Sequence, residues 1–191
     1  MTRYPLSPED ERSERAALFR LLTDAALLRG SAYRRLATAR AMTVPSILVA
    51  LSAPTGHAAW ALARSRGDDA ATPAMIALAA ALLEVLIFLA LGAAILVAAR
   101  IATGTAPRGT ELLRPLGFAQ VPAFLYFLGL LPPLTQFMPL LPLALIWRIA
   151  TTLQVARSVT QLPSAVAALA VLVGGGAGVF LGFAVASWIY A

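Results

Sequence analysis

The sequence predicts an all-α protein, a polytopic transmembrane bundle of five helices with its N-terminus in the cytoplasm. Of its 191 residues, 60% are hydrophobic and only 13% are charged, and the mean hydropathy is +0.80. Soluble domains usually have about 45–50% apolar and about 25% charged residues. A water-soluble fold of this length could not bury so much apolar surface. We therefore expect a lipid bilayer to surround most of the chain.

The chain divides into a cytoplasmic segment, residues 1–40, and a membrane domain, residues 41–191. The first segment carries eight arginines and five acids, and it lacks the apolar core of a secretory signal. Ser7 and Pro8 are typical of a helix start, and leucines then recur at helical spacing up to Leu28. This pattern predicts an amphipathic helix that ends at Gly30. Such a helix could lie on the membrane surface or pack on the cytoplasmic ends of the other helices, which we favour.

Five apolar segments follow, and each approaches the roughly 20 residues that a helix needs to cross a bilayer. Prolines interrupt the first and the third segment, which a membrane helix tolerates when neighbours satisfy the freed carbonyl groups. The predicted spans are residues 42–63, 73–99, 115–131, 138–156 and 163–190.

The arginines indicate the orientation of these spans, because arginine concentrates in short cytoplasmic loops. All fifteen basic residues are arginine. With the N-terminus inside, the inner segments hold twelve arginines and the outer segments hold two, Arg64 and Arg66. The composition, with arginine in place of lysine and abundant alanine, suggests a bacterial genome. We therefore expect a multi-pass protein of a bacterial inner membrane.

Glu84 and Arg148 are the two charged residues near the middle of predicted spans. Each costs about 2.5–3.5 kcal/mol at a helix centre, so each calls for a reason. Counted from the outer ends of their spans at 1.5 Å per residue, they lie at about 16 and about 15 Å depth, which permits a buried ion pair. Counted from the inner ends, the depths differ by roughly 10 Å. The alternative is that Arg148 extends towards the inner interface and Glu84 is protonated.

His57, Gln120 and Gln154 are the remaining intramembrane polar candidates. His57 could relay a proton, although a structural hydrogen bond near the outer end of the first span is the commoner use. The polar face of the fourth span, which includes Gln154, could line a water path. More often such a face supplies hydrogen bonds between helices.

The fifth span carries a stripe of small residues that are four positions apart and therefore share one helix face. Small side chains of this GxxxG type let a second backbone approach closely. The partner could be a helix of the same chain, which we favour, or a helix of a second chain in a homo- or hetero-oligomer. The stripe consists of Ala170, Gly174, Gly178, Gly182 and Ala186.

Several classes of function are not expected. The chain has no cysteine and a single histidine, so thiolate chemistry and a histidine-rich metal site are excluded. No nucleotide loop, zinc-protease signature or nucleophile elbow occurs. The net charge of +6 does not indicate nucleic-acid binding, because no basic face carries interleaved aromatic residues. We expect no enzyme activity, no catalytic residues, no metal and no cofactor.

The chain resembles the Yip-domain family of five-span membrane proteins, which is named for interacting with Ypt/Rab GTPases. The resemblance begins at residues 31–36 (SAYRRL) and is best at residues 104–133 (GTAPRGTELLRPLGFAQVPAFLYFLGLLPP), a glycine-led loop that enters a span with a mid-helix proline, Pro122. The fourth span and the turn after it are similar at Ile146, Trp147, Ser158 and Ala165.

This resemblance implies five spans, a cytoplasmic N-terminus and a short distal tail. Relatives in eukaryotes act in vesicle traffic and membrane shaping. The DLYGP-type motif of those relatives is absent, so GTPase binding is not implied. The family defines no catalytic residues.

Two functions follow from these observations. The first is a non-enzymatic scaffold that organises the membrane or binds other proteins through its helix faces and N-terminal segment. The alternative is a small transporter, permease or channel subunit in which Glu84, Arg148 and His57 line a polar path. Transport predicts a water-accessible cavity that joins these three residues, whereas a scaffold predicts a dry pair or lipid-facing positions.

Overall fold

The computed structural model describes residues 19–21, 23–64, 71–128, 130 and 140–189, and the regular secondary structure of these residues is helical. The prediction of an all-α protein is confirmed for this part of the chain. Two 3-10 turns, Arg40–Met42 and Val121–Phe124, separate some of the helices. The α-helices are α1 (Gly30–Thr38), α2 (Thr43–Ala50), α3 (Ser52–Arg64), α4 (Ala71–Thr103), α5 (Gly109–Phe118), α6 (Leu125–Leu128), α7 (Leu140–Thr160) and α8 (Ser164–Ile189).

Three stretches of the described chain are long and apolar enough to cross a membrane: Arg40–Ala63, Pro73–Thr103 and Ser164–Val185. They correspond to the first, second and fifth predicted spans, and they indicate a membrane protein. The first stretch is not one regular helix, because it joins a 3-10 turn to α2 and α3 through a turn at Leu51.

In the residues that the structure describes, neither the third nor the fourth predicted span is a continuous apolar helix. The third begins with α5, turns at Ala119 and Gln120, and continues through a 3-10 turn into the short α6. Pro122 in that 3-10 turn has no N–H to donate to a carbonyl one helical turn earlier. α7 has 21 residues, but its charged and hydroxyl-bearing side chains separate it from the three apolar stretches. Residues 129 and 131–139 lie outside the described part.

α4 and α8 form a closely packed antiparallel pair, because small residues of α8 face the backbone of α4. A Cβ atom at Gly174 would lie 2.9 Å from the Cα atom of Leu91, and one at Gly178 would lie 3.0 Å from the backbone nitrogen of Ile87. Gly182 meets Leu83 one turn further on. Any larger side chain would push the two helices apart.

The same face of α8 continues to Ala170, which is 5% exposed. The side chain of Ala186 lies outside the described part. At the four described positions, from Ala170 to Gly182, the predicted stripe therefore packs inside this chain.

The prediction that the N-terminal helix ends at Gly30 is wrong. The described helical turns at residues 23–26 stop earlier, where Leu28 adopts a left-handed conformation with φ 61°. There the backbone N–H of Arg29 donates to the carbonyl of Asp24 at 2.9 Å, which closes the helix end. Gly30 is instead the first residue of α1, where a Cβ atom would lie 2.9 Å from the Nε2 atom of Gln154.

The N-terminal segment packs against α5 and α7 through two hydrogen bonds, and a third hydrogen bond lies within the segment. The hydroxyl of Tyr33 donates to the carbonyl of Ala25 at 2.6 Å, and the indole of Trp147 donates to the carbonyl of Ala26 at 3.0 Å. Arg114 of α5 donates to the carbonyl of Ala37 at 2.6 Å. Burial raises the pKa of the Tyr33 hydroxyl, so it remains a donor. Residues 1–18, which include the predicted helix start, lie outside the described part.

Candidate functional site

Glu84 and Arg148 form a buried ion pair where α4 crosses α7. The Nη1 atom of Arg148 lies 3.0 Å from Oε1 of Glu84, and Nη2 lies 2.7 Å from Oε2. The residues are 4% and 7% exposed. The planar guanidinium matches both carboxylate oxygens at once, which is the strongest geometry for such a pair. The structure thus pairs Glu84 with Arg148. The depths counted from the outer ends of their predicted spans permit this pair.

The remaining hydrogen bonds of Arg148 fix its side chain from two more sides. Its Nε atom donates to Oε1 of Gln120 at 2.9 Å, and Nη1 also donates to the hydroxyl of Tyr126 at 2.9 Å. The guanidinium carbon lies 5.9 Å from the centre of the Tyr126 ring. The arginine is therefore held by α4, by the turn after α5 and by α6.

His57 completes this arrangement from α3. Its Nδ1 atom lies 3.1 Å from Oε1 of Glu84, and because an ionised carboxylate only accepts hydrogen bonds, Nδ1 is the donor. The preceding residue, Gly56, lets α3 pack closely on α6, since a Cβ atom there would lie 3.1 Å from Cβ of Tyr126. The His57 and Tyr126 rings are consequently 5.6 Å apart.

The interruption of the third predicted span places Gln120 beside Arg148. The backbone bends at Ala119 and Gln120, and the carbonyl of Ala119 accepts a hydrogen bond from the hydroxyl of Thr151 at 2.8 Å. The amide of Gln120 donates to the carbonyl of Leu116 at 3.4 Å, which leaves its Oε1 atom for Arg148. Irregular backbone at membrane depth needs such partners, because no water is available there.

We call His57, Glu84, Gln120, Tyr126 and Arg148 the polar cluster, and two cavities border it. The outer cavity has a volume of about 610 Å³ and lies between α4, α7 and α8; all five residues of the polar cluster line it, with Thr152 and otherwise apolar or glycine residues. The inner cavity has a volume of about 270 Å³ and lies between α2, α3, α4 and α5. Glu84 and Gln120 line both cavities. These two residues therefore lie between the cavities, whereas His57, Tyr126 and Arg148 line the outer cavity alone.

The predicted polar residues do not all meet. Glu84, Arg148, His57 and Gln120 lie in the polar cluster, whereas Gln154 lies further along α7 beside Gly30. Tyr126 was missed by the sequence argument. Its one signal is a hydroxyl within an apolar aromatic run, and that signal does not distinguish a buried ligand of arginine from an interfacial tyrosine.

The polar face of α7 mostly serves to hold the fold together. Trp147 and Thr151 each donate to a backbone carbonyl outside α7, which is the commoner of the two uses expected for this face, whereas Ser158 donates to the carbonyl of Gln154 in the same helix. Thr152 differs, because it lines the outer cavity.

The charges of Glu84 and Arg148 balance each other, their geometry is fixed by hydrogen bonds, and the polar cluster presents polar atoms to the cavities. In the part of the chain that the structure describes, every buried side-chain nitrogen or oxygen atom has a hydrogen-bond partner. Within the same ranges, no group of three histidine or acidic residues is placed to hold a metal ion.

Comparison with known proteins adds no further assignment. No protein family matches the chain, and no curated protein or solved structure does. The resemblance to the Yip-domain family therefore rests on the sequence motifs alone and stays a prediction.

Proposed function

We propose that this chain is a non-enzymatic, five-span protein of a bacterial inner membrane, with its N-terminus in the cytoplasm, and that it acts as a small permease or channel subunit. One observation carries the proposal: two residues of the polar cluster, Glu84 and Gln120, each line two separate cavities within the bundle. Ionisable residues inside a membrane are costly and mark substrate or ion paths more often than they mark simple packing.

The two cavities overlap in depth along α4, where residues from Leu83 to Leu91 line the outer cavity and residues from Glu84 to Leu89 line the inner one, and they reach different parts of the bundle on the other helices. The inner cavity includes Ser46 and Leu113, which lie near the end where α1 packs and where most arginines are found. The outer cavity includes Pro142 of α7 and Val179 of α8, which lie nearer the other end. A route that joined the two cavities would pass Glu84, which lines both, and its partner Arg148, which lines the outer one.

An interrupted helix also favours this function. Transporters often form their central sites from discontinuous helices whose unwound backbone lines a cavity. Here the interruption at Ala119 and Gln120 contributes a side chain to both cavities.

The scaffold function gains no support from the fifth span. Gly174, Gly178 and Gly182 pack on α4 of the same chain, the partner that the sequence favoured, so these glycines offer no surface to a partner protein. Oligomer formation through the fifth span stays a prediction without that support.

Cysteine labelling tests the proposal, because the natural chain has no cysteine. Thr152→Cys places a thiol in the outer cavity and Ala50→Cys places one in the inner cavity. We expect a charged, membrane-impermeant thiol reagent to reach the outer-cavity thiol only from the periplasmic side and the inner-cavity thiol only from the cytoplasmic side. The matched control is Val173→Cys, at a position that is 57% exposed and lines neither cavity. The control thiol should stay unreactive in lipid, where it does not ionise.

Adding Arg148→Ala to Thr152→Cys sharpens the test. Loss of the pair should let the reagent reach the outer cavity from both sides. If neither cavity thiol reacts from either side in a folded protein, the permease function is wrong and a dry structural pair explains the polar cluster.

A further inference from the structure

The outer cavity opens sideways, on the surface of the bundle that lies at bilayer depth. Its rim is formed by Leu145 and Ile149 of α7 and by Leu172 and Val179 of α8. These side chains are exposed to 52%, 46%, 71% and 39% of their surface. In a membrane-spanning bundle, such apolar residues face acyl chains. The opening between α7 and α8 therefore leads into lipid.

The depth of this opening follows from its position along α8. Gly175 and Gly176 line the cavity, and Gly175 lies eleven residues after Ser164, the first residue of α8. At 1.5 Å per residue this is about 17 Å, near the middle of a hydrocarbon layer of about 30 Å. A Cβ atom at either glycine would meet nothing within 4 Å, so the glycines widen the cavity there.

The polar cluster forms one wall of this cavity, and its Glu84 and Arg148 charges are already paired with each other. The carboxylate of Glu84 and the guanidinium of Arg148 neutralise each other through two hydrogen bonds. His57 uses Nδ1 for Glu84 and is 24% exposed, which leaves Nε2 as a hydrogen-bonding atom of the ring. Because Glu84 and Arg148 are already paired with each other, a charged group that entered the cavity would find neither of their charges free to replace its lost hydration.

We propose that the outer cavity binds a neutral amphiphile, a long apolar molecule with a hydroxyl head group, which enters sideways from the bilayer between α7 and α8. The hydroxyl reaches the wall formed by His57 and its neighbours, and the apolar part lies along Leu172 and Val179. The volume of about 610 Å³ is in the range of sites for small ligands, about 300–1,000 Å³. This inference rests on the proposed function, because it names the class of molecule that the permease would carry.

Photolabelling of the full chain in nanodiscs tests the inference. The probe is a twelve-carbon alcohol with a diazirine in its chain, and the comparison probes are the corresponding carboxylic acid and a phosphatidylcholine with the same diazirine in one chain. We expect the alcohol to label residues of α7 and α8 that line the cavity, and unlabelled alcohol to compete for them. The carboxylic acid, ionised at neutral pH, should label them at least about tenfold less.

A pair of variants of α8 provides the control. Gly175→Leu fills the cavity from a position with free space around it, and should reduce labelling by the alcohol at least about tenfold. Val173→Leu adds bulk to the same helix outside the cavity and should leave labelling unchanged. Labelling that Gly175→Leu does not reduce overturns the inference. Equal labelling by the acid or by the phospholipid also overturns it, because the cavity would then hold any acyl chain.

The outcome is separable from that of the cysteine experiment. Selective labelling by the alcohol with unreactive cavity thiols would mean a binding site without a water path, so the permease function alone would fail. Reactive thiols without selective labelling would keep the permease function and reject the neutral amphiphile.

Discussion

A single guanidinium group connects four of the five residues of the polar cluster. Arg148 donates to Glu84, Gln120 and Tyr126, and Glu84 in turn accepts from His57. A lone charge at this depth would cost about 2.5–3.5 kcal/mol on insertion scales. The pairing offsets that cost only while both partners are present, because removal of one leaves the other charge buried and unmatched.

This dependence gives a prediction for a mutant cycle. Arg148→Met should destabilise the protein by about 3–5 kcal/mol, because the carboxylate of Glu84 loses its counter-charge. Glu84→Gln combined with Arg148→Met should recover most of that loss, since neither charge remains. Thermal unfolding in a fixed detergent measures the two single variants and the double variant. Strictly additive effects of the two substitutions would show that the pair does not act as a unit.

How far the sequence predicts this site depends on the residue. Glu84 and Arg148 stand out in the sequence because charges within apolar segments are rare, and depth counted from the outer span ends permitted their pairing while depth counted from the inner ends did not. Tyr126 could not be found in the same way. Its contact with Arg148 depends on the bend at Gln120. A hydropathy pattern does not predict where that bend lies.

At the scale of the helices, α8 has two different glycine faces. Gly174 and Gly178 touch the backbone of α4, whereas Gly175 and Gly176 line the outer cavity. The spacing of four residues predicted close packing, and the structure shows which helix provides the partner. Sequence alone could not decide between an internal and an external partner, because both present the same kind of groove.

The two faces predict opposite effects of the same substitution. Gly178→Ala should destabilise the protein by about 1–3 kcal/mol, because the new methyl group meets the backbone of Ile87. Gly175→Ala has no neighbour within 4 Å and should be neutral or stabilising by up to about 1 kcal/mol, since alanine favours the helix. Unfolding of both variants in the same detergent compares them directly. Equal destabilisation by the two changes would contradict the observed packing of α8 on α4.

The prolines predicted that the first and third segments would be interrupted. They did not predict whether an interrupted segment would still be long enough to span the membrane. The first segment keeps its length through the turn at Leu51 and remains a candidate span. The third is divided into α5 and the short α6. Hydropathy does not distinguish these outcomes, because the division is stabilised by the hydrogen bond from Thr151 of α7 to Ala119.

For the molecule as a whole, the distribution of the arginines and the directions of α4 and α8 are consistent with one orientation in the membrane. α8 runs antiparallel to α4, since Gly174 meets Leu91 and Gly182 meets Leu83. The C-terminal end of α8 therefore lies at the opposite end of this pair from Arg100. The all-α class followed from composition and periodicity, whereas the number of spans depends on stretches with mixed polarity and stays a prediction.

Two single-cysteine variants test the orientation. Thr105 follows α4 at the arginine-rich end, and Ser187 lies beyond the apolar part of α8 at the other end; both are exposed. In intact cells, an impermeant thiol reagent should label Ser187→Cys and spare Thr105→Cys. Inverted membrane vesicles should give the reverse. Labelling of both cysteines from the same side would rule out the proposed arrangement.

The order of synthesis gives the Glu84–Arg148 pair a further consequence. Arg148 leaves the ribosome 64 residues after Glu84, which corresponds to about 3–13 s at about 5–20 residues per second. Of the two residues that hydrogen-bond to Glu84 in the described part of the chain, His57, made 27 residues before it, is the one already translated during that interval. We expect the nascent chain to rely on this imidazole until α7 arrives, so that His57 matters more to insertion into the bilayer than to the finished protein.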